Sequence, residues 1–193
     1  MLPRQLAVQL DRLQGFNAPK AHLEQWRTPG SIAAEMVFLA GVEGRKILDL
    51  GCGTGVLAIA AKLAGALEVT GVELDEDALE TARRNSEGME IEWVHDNALH
   101  YSPGRKFDAV IMNPPYGSVV RGIDRKMVEK ALQLAPEVYS LLSIYSRQFF
   151  TEKYGAEVLR TYEFPLKRQQ PFHRKNKSIL GVDLLLFRRH FDF

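Results

Sequence analysis

Short apolar runs alternate with stretches whose apolar positions recur at helical spacing, and the alternation begins near Gly44. RKILDL predicts a buried strand and VLAIAAKLAGA a helix rich in alanine and leucine. LEVTGVEL predicts a second strand, and DEDALETARRNSE a helix that Asp75 caps, with acidic neighbours in its first turn. MEIEWVH and KFDAVIM predict the third and fourth strands, RKMVEKALQLA a helix, VYSLLSIY a strand and SRQFFTEKYGA a helix. AEVLRTYEFPL and ILGVDLLLFRRHF predict two more strands.

Strands spaced by crossover helices imply a parallel, doubly wound sheet. The last two strands are joined by a basic loop without a crossover helix, which predicts an antiparallel pair at one edge. Upstream, MLPRQLAVQLDRLQGF has its apolar residues interrupted by Arg4, Gln5, Gln9, Asp11 and Arg12, the pattern of an amphipathic helix and not of a signal peptide. TPGSIAAEMVFLA predicts a second helix, with Thr28 and a Pro-Gly turn at its start. The expectation is an α/β fold with a seven-stranded, mostly parallel sheet. Residues 1–193 form one domain: a helical extension over 1–43 and a core over 44–193, with a basic loop near 165–178.

Composition narrows the class. A chain of 193 residues with net charge +1 and a quarter of its residues charged is globular, and no apolar run approaches the roughly 20 residues that span a bilayer. A single cysteine, Cys52, excludes an internal disulfide and a cysteine-based metal cluster, and no histidine/carboxylate group has metal-ligand spacing. A cytoplasmic setting is expected. The balanced total hides a basic stretch from Arg160 to Arg189, with eight cations against Glu163 and Asp183. Phe164, Pro165, Pro171, Phe172 and His173 lie among those cations, the mixture of stacking and phosphate-binding groups that suits a nucleic acid, although a charge run is also an ordinary solvated face.

Candidate chemistry gathers at the strand ends. ILDLGCGTGVLAIA places Gly51, Gly53 and Gly55 at the first strand-to-helix turn, where a nucleotide-like ligand lies in doubly wound sheets. A dinucleotide fingerprint needs its third glycine at position 56, which is Val56, so nothing here requires a pyrophosphate. Asp49 suits a ligand with an ammonium group. Glu73, about twenty residues on, suits a ribose, and Asp96 in VHDNA suits an adenine amine. A ligand with amine, ribose and adenine but no phosphate is S-adenosylmethionine. Singly, each acid also reads as a buried structural group, a cap neighbour or a turn residue.

The fourth strand runs into NPPYG at 113–117. Adjacent prolines lack backbone N–H groups and fix φ, so the turn is rigid. Asn113 and the Pro114 carbonyl can accept the two protons of a planar NH2, orienting its lone pair and stabilising the charge that develops on nitrogen. Pro115 holds both acceptors still, and Tyr116 offers a stacking face. Adenine N6 and a glutamine amide present the same planar group.

DLGCGTG, VELD, HDNA and NPPYG together resemble the Rossmann-like class I S-adenosylmethionine-dependent methyltransferases. RLQGFNAPKAHLEQWRTPGSIAAEM, FDAVIMNPPYGS, FHRKNKS and VDLLLFR further resemble the methyltransferase-like protein 5 family, over most of the chain. Its eukaryotic members are small-subunit ribosomal RNA adenine-N6 methyltransferases that pair with a zinc-binding, Trm112-like activator. The resemblance implies that Gln25 and Thr28 contact the methionine end of the cofactor and that Gly51, Thr54 and Val56 form the loop around it. It implies Glu73 on the ribose, Asp96 on the adenine and Asn113 on the acceptor side. In the tail, it places Phe172, His173, Arg174, Lys175 and Lys177 on RNA, and the basic stretch adds Lys167 and Arg168 as candidates for the same role. LEQWRTPG departs from the eukaryotic pattern, which has proline before the threonine, and Tyr116 stands where phenylalanine is common.

Other readings stay open at this point. Protein glutamine N5-methyltransferases also carry NPPY but usually have an extra N-terminal domain; DNA adenine methyltransferases have a target-recognition domain. A retired methyltransferase fold serving as an RNA-binding adapter would be expected to lose one of the intact motifs, and the glycine spacing disfavours a nicotinamide-dependent oxidoreductase. Cys52, His95, His100, Trp26 and Trp93 read as packing or surface residues, with Trp26 the better functional candidate of the two tryptophans.

Overall fold

The computed structural model describes residues 2–165 and 179–189. Helices α1 (Pro3–Asp11) and α2 (Gly30–Leu39) precede an alternation of β1 (Lys46–Leu50), α3 (Val56–Leu63), β2 (Glu68–Glu73), α4 (Glu76–Asn85), β3 (Glu92–His95) and β4 (Ala109–Met112). Then come α5 (Ile123–Leu134), β5 (Glu137–Ser143), α6 (Arg147–Tyr154), β6 (Glu157–Pro165) and β7 (Ile179–Arg188). The seven strands form one sheet in the order β3-β2-β1-β4-β5-β7-β6. β1 to β5 are parallel, and β7 runs antiparallel to both β5 and β6. The expected edge pair is present, with β7 inserted between β5 and β6.

Alternation along the strands builds a core on each face. Ile47, Ala109 and Ile111 point toward α1, α2 and α3, where Leu6, Leu10, Met36, Val37 and Ile59 are buried. Leu48, Leu50, Val110 and Met112 point the other way, onto Met127 and Val128 of α5 and the rings of Phe150 and Phe187. Burying both faces explains why these strands read as continuous apolar runs. No helix among the described residues is long and apolar enough to cross a membrane.

Two predicted elements are shorter than their hydrophobic patterns. MEIEWVH yields a strand only over Glu92–His95, because Met89 N bonds back to Ser86 O and Ile91 N to Met89 O in the turn leaving α4. VYSLLSIY stops at Ser143, whose hydroxyl accepts from Tyr145 N and opens a 3-10 turn over Ile144–Ser146. Both are local hydrogen bonds that compete with the ladder.

Trp93 on β3 settles its own role. Its ring covers Gly71, its register partner on β2, and reaches the underside of Gly55, while its indole N–H donates to Ser86 Oγ at 3.0 Å. A Cβ on Gly71 would stand 2.3 Å from the ring. Gly71→Ala is therefore expected to overpack the sheet and to destabilise the protein by about 1–3 kcal/mol, read as a lower urea midpoint at unchanged slope.

Candidate active site at the β1–β4 switch point

The sheet order reverses direction between β1 and β4, and in open α/β sheets ligands bind in the crevice outside the strand ends at that point. A cleft of about 470 Å³, partly open to solvent, lies there. Its lining brings together Gln25, Thr28, Asp49, Gly51, Gly53, Thr54, Val56, Glu73, Asn113 and Pro115, drawn from four separate stretches of sequence. Gly55, Asp96, Pro114 and Tyr116 do not line it. Gly55 adopts φ +84° ahead of α3 and packs beneath Trp93, so its lack of a side chain serves the turn and the packing. Asp96 follows β3, with Oδ1 accepting from Asn97 N. Lys167, Arg168, Phe172, His173, Arg174, Lys175 and Lys177 fall outside the described residues.

The acids of the cleft sit in different environments. Asp49 is fully buried; Oδ2 accepts from Ala58 N at 2.9 Å and Oδ1 has no partner among the described residues. Burial, with a contribution from the Glu73 charge and against the Ala58 bond, pushes the Asp49 carboxyl up to about 8. Burial also raises Glu73, although its carboxylate accepts from the backbone N–H groups of Gly53, Leu74 and Asp75 at 2.8–2.9 Å. The Cys52 thiol is pushed well up by burial and the same two acids, which leaves it inert.

A strap of chain ahead of α2 closes the cleft. Gln25 donates to Asp75 at 2.7 Å and accepts from Lys20 N at 2.7 Å; Lys20 Nζ bonds Asp75 at 2.5 Å. Burial opposes the charge on Asp75, and these partners outweigh it, holding the carboxyl below its usual range. Glu24 reaches the other way and accepts from Tyr116 N at 3.1 Å and from Val119 N at 2.9 Å. It does so from φ +50°, the one left-handed non-glycine residue among those described. Asn113 donates to Thr28 Oγ1 at 3.0 Å, and its Oδ1 accepts from the Tyr116 hydroxyl at 2.8 Å. Burial first, and the Glu24 charge second, raise the Tyr116 phenol well above its usual range, so it stays a neutral donor. Its ring is half-buried and packs against the core cluster that includes α1, α2 and α3.

Two residues of this site escaped the sequence reading. The Phe16 ring stands against Gly53, where a Cβ would come within 2.8 Å of it, and Phe16 lines the cleft. Asn85 positions that segment by accepting from Gln14 N and donating to Gln14 O and Thr54 O. Glu24 was the other; each acts through a partner more than thirty residues away, which no local spacing encodes.

The buried acid has a pH signature. Between about pH 4 and about 8 the folded protein keeps a proton on Asp49 that the unfolded chain has lost, so this group lowers stability as pH rises through that window. Urea melts of Asp49→Asn should show its stability relative to wild type climbing from pH 4 to pH 8; a pH-independent difference would mean that Asp49 ionises normally. Glu24→Ala should free two amides, so hydrogen exchange is expected to accelerate at Tyr116 and Val119 while the β4 amides keep their protection.

Comparison with known proteins agrees with this geometry. The Methyltransferase small domain model matches residues 34–170. The rRNA N(6)-adenosine-methyltransferase Mettl5 of Drosophila melanogaster is 36% identical over 202 residues, covering 95% of each chain. An uncharacterized protein of Methanocaldococcus jannaschii is 31% identical, covering 96% of this chain and 92% of its own. The crystal structure of a proposed RNA methyltransferase from Pyrococcus horikoshii superposes with TM-score 0.84 at 33% identity, over 97% of this chain and 98% of that one. Matches of this extent along both chains establish the relationship, and the chain belongs to the methyltransferase-like protein 5 family of S-adenosylmethionine-dependent methyltransferases.

Proposed function

We propose that this protein transfers a methyl group to adenine N6 in ribosomal RNA. The observation that carries the reading is the Asn113 amide, fixed between Thr28 and Tyr116 on the wall of the cleft that also presents Asp49 and Glu73. The name of the Drosophila relative, matched over nearly the whole of both chains, supports adenine in ribosomal RNA as the acceptor. The finer assignments to small-subunit RNA and to a Trm112-like partner rest on the family resemblance, and the one to the cytoplasm on the single cysteine.

The residues present fit S-adenosylmethionine. An unpartnered buried carboxyl oxygen on Asp49 matches an ammonium group, and Glu73 Oε2, which accepts from Gly53 N alone, retains a lone pair for a ribose hydroxyl. Asp96 is assigned to the adenine amine from the neighbouring strand end. Gly51, Gly53, Thr54 and Val56 would surround the ligand, with Gln25 and Thr28 at its methionine end. When bound, the cofactor supplies an electrophilic methyl group.

The work of the protein is orientation. Adenine N6 is a weak nucleophile because its lone pair is delocalised into the ring, and it must be unpaired to reach the cleft. Asn113 Oδ1 accepts one proton from the Tyr116 hydroxyl and has a second lone pair for an N6 proton. The Pro114 carbonyl takes the other, which turns the nitrogen lone pair toward the methyl carbon. Positive charge that builds on nitrogen is met by these two oxygens, and the proton leaves to water afterwards. Thr28 and Tyr116 keep the amide from rotating out of this pose.

Transfer of labelled methyl to ribosomal RNA, to RNA lacking it and to protein extract tests the proposal, with nucleosides of the labelled fraction separated. The expected product is N6-methyladenosine in ribosomal RNA. Asn113→Ala should lower kcat about a hundredfold or more, while affinity for S-adenosylmethionine stays within a few-fold of wild type. Label in protein would overturn the RNA reading, as would a methylated nucleoside other than N6-methyladenosine.

A further inference from the structure

Beside the acceptor turn lies a surface that the reaction above leaves unused. Val119 and Val120, directly after NPPYG, are 54% and 49% exposed, and Tyr145 is 88% exposed, more than any other large apolar side chain among the described residues. Tyr145 stands on the 3-10 turn that leaves β5, the strand next to β4. That turn is tied to the acceptor loop: Ser146 Oγ donates to Asp124 Oδ2 at 3.3 Å, and Asp124 Oδ1 would lie 3.7 Å from a Cβ on Gly117. The loop is held in place, since Val119 N is bonded to Glu24. Arg121, Arg125 and Lys126 are exposed on the same loop and the first turn of α5, and none forms an ion pair among the described residues. The Arg125 guanidinium stacks on Phe149 at 4.1 Å, which fixes its carbon stem and leaves its charge facing solvent.

A solvated ring on a turn that Ser146 and Asp124 tie to a loop of exposed valines and cations without ion pairs has the composition of a single-strand nucleic-acid surface. A protein partner would call for fewer unpaired charges at the centre of the patch. We propose that Tyr145, flanked by Val119 and Val120, is a stacking subsite for a nucleotide next to the target adenine, with Arg121, Arg125 and Lys126 receiving the adjoining phosphates. This rests on the RNA reading and adds a second surface, independent of the basic tail.

The test uses fluorescein-labelled nonaribonucleotides with one central adenine among uridines, intact or with an abasic position on either side of the adenine. Tyr145→Ala should bind the intact strand about fivefold or more weakly than wild type, and one abasic strand as well as wild type does. Tyr145→Phe should restore binding to the intact strand. Arg121→Ala should weaken all strands alike and lower the salt slope of log affinity by about 1. With ribosomal RNA as methyl acceptor, Tyr145→Ala should raise KM and leave affinity for S-adenosylmethionine unchanged. Methylation by Tyr145→Ala at wild-type KM would overturn the subsite and leave the RNA reading standing. Loss of a bound protein partner in Tyr145→Ala, with RNA binding unaltered, would assign the patch to that partner instead. A wild-type protein that binds the cofactor but neither binds nor methylates any RNA would sink the RNA reading itself.

Discussion

The acceptor turn is held from outside the sheet, by a carboxylate more than ninety residues upstream. Prolines stiffen NPPYG internally, and Asn113 ties its start to Thr28, but its far end needs a further hold. Glu24 supplies that hold through two backbone N–H groups, and it reaches them from a left-handed conformation that a residue with a Cβ adopts only at a cost. Gln25, the next residue, faces the opposite way and is anchored on Asp75 beyond β2. One dipeptide thus spans the cleft, so the distance between the cofactor wall and the acceptor wall is set by local backbone geometry. Rate in such a site depends on alignment, and small displacements are expensive.

Electrostatics reinforce this arrangement. Asp49 and Glu73 are both raised by burial, so without a cationic ligand the floor of the cleft tolerates little negative charge. The unpartnered oxygen of Asp49 is costly to bury and is retained at the one place where a positive group would compensate it. The outer acid, Asp75, is treated in the opposite way: two partners from the strap hold it ionised.

Fold and strand-end chemistry were legible because both follow short-range rules. Strand and helix periods marked the elements, and parallel connectivity alone placed Asp49, Glu73 and Asn113 on one edge of the sheet. Where the reading went astray, a single hydrogen bond decided the matter. Ser143 ended β5 early, and the bond from Met89 N to Ser86 O delayed the start of β3. Phe16 and Glu24 were invisible as site residues, since an isolated phenylalanine or glutamate in a loop carries no periodicity. Gly55 is committed to glycine by packing and backbone handedness.

Trp93 links two glycines that are glycine for different reasons. Gly71 has ordinary strand geometry, and what forbids a methyl group there is first the indole above it, with Cys52 Sγ a lesser obstacle at 3.1 Å; Gly55, under the same ring, is also committed by its positive φ. In descent with modification the two positions should therefore behave differently. A lineage that shrinks residue 93 releases position 71 to drift toward alanine or serine, so 71 and 93 co-vary. Position 55 stays glycine whatever happens to the ring, and its constancy carries no record of the partner it packs against.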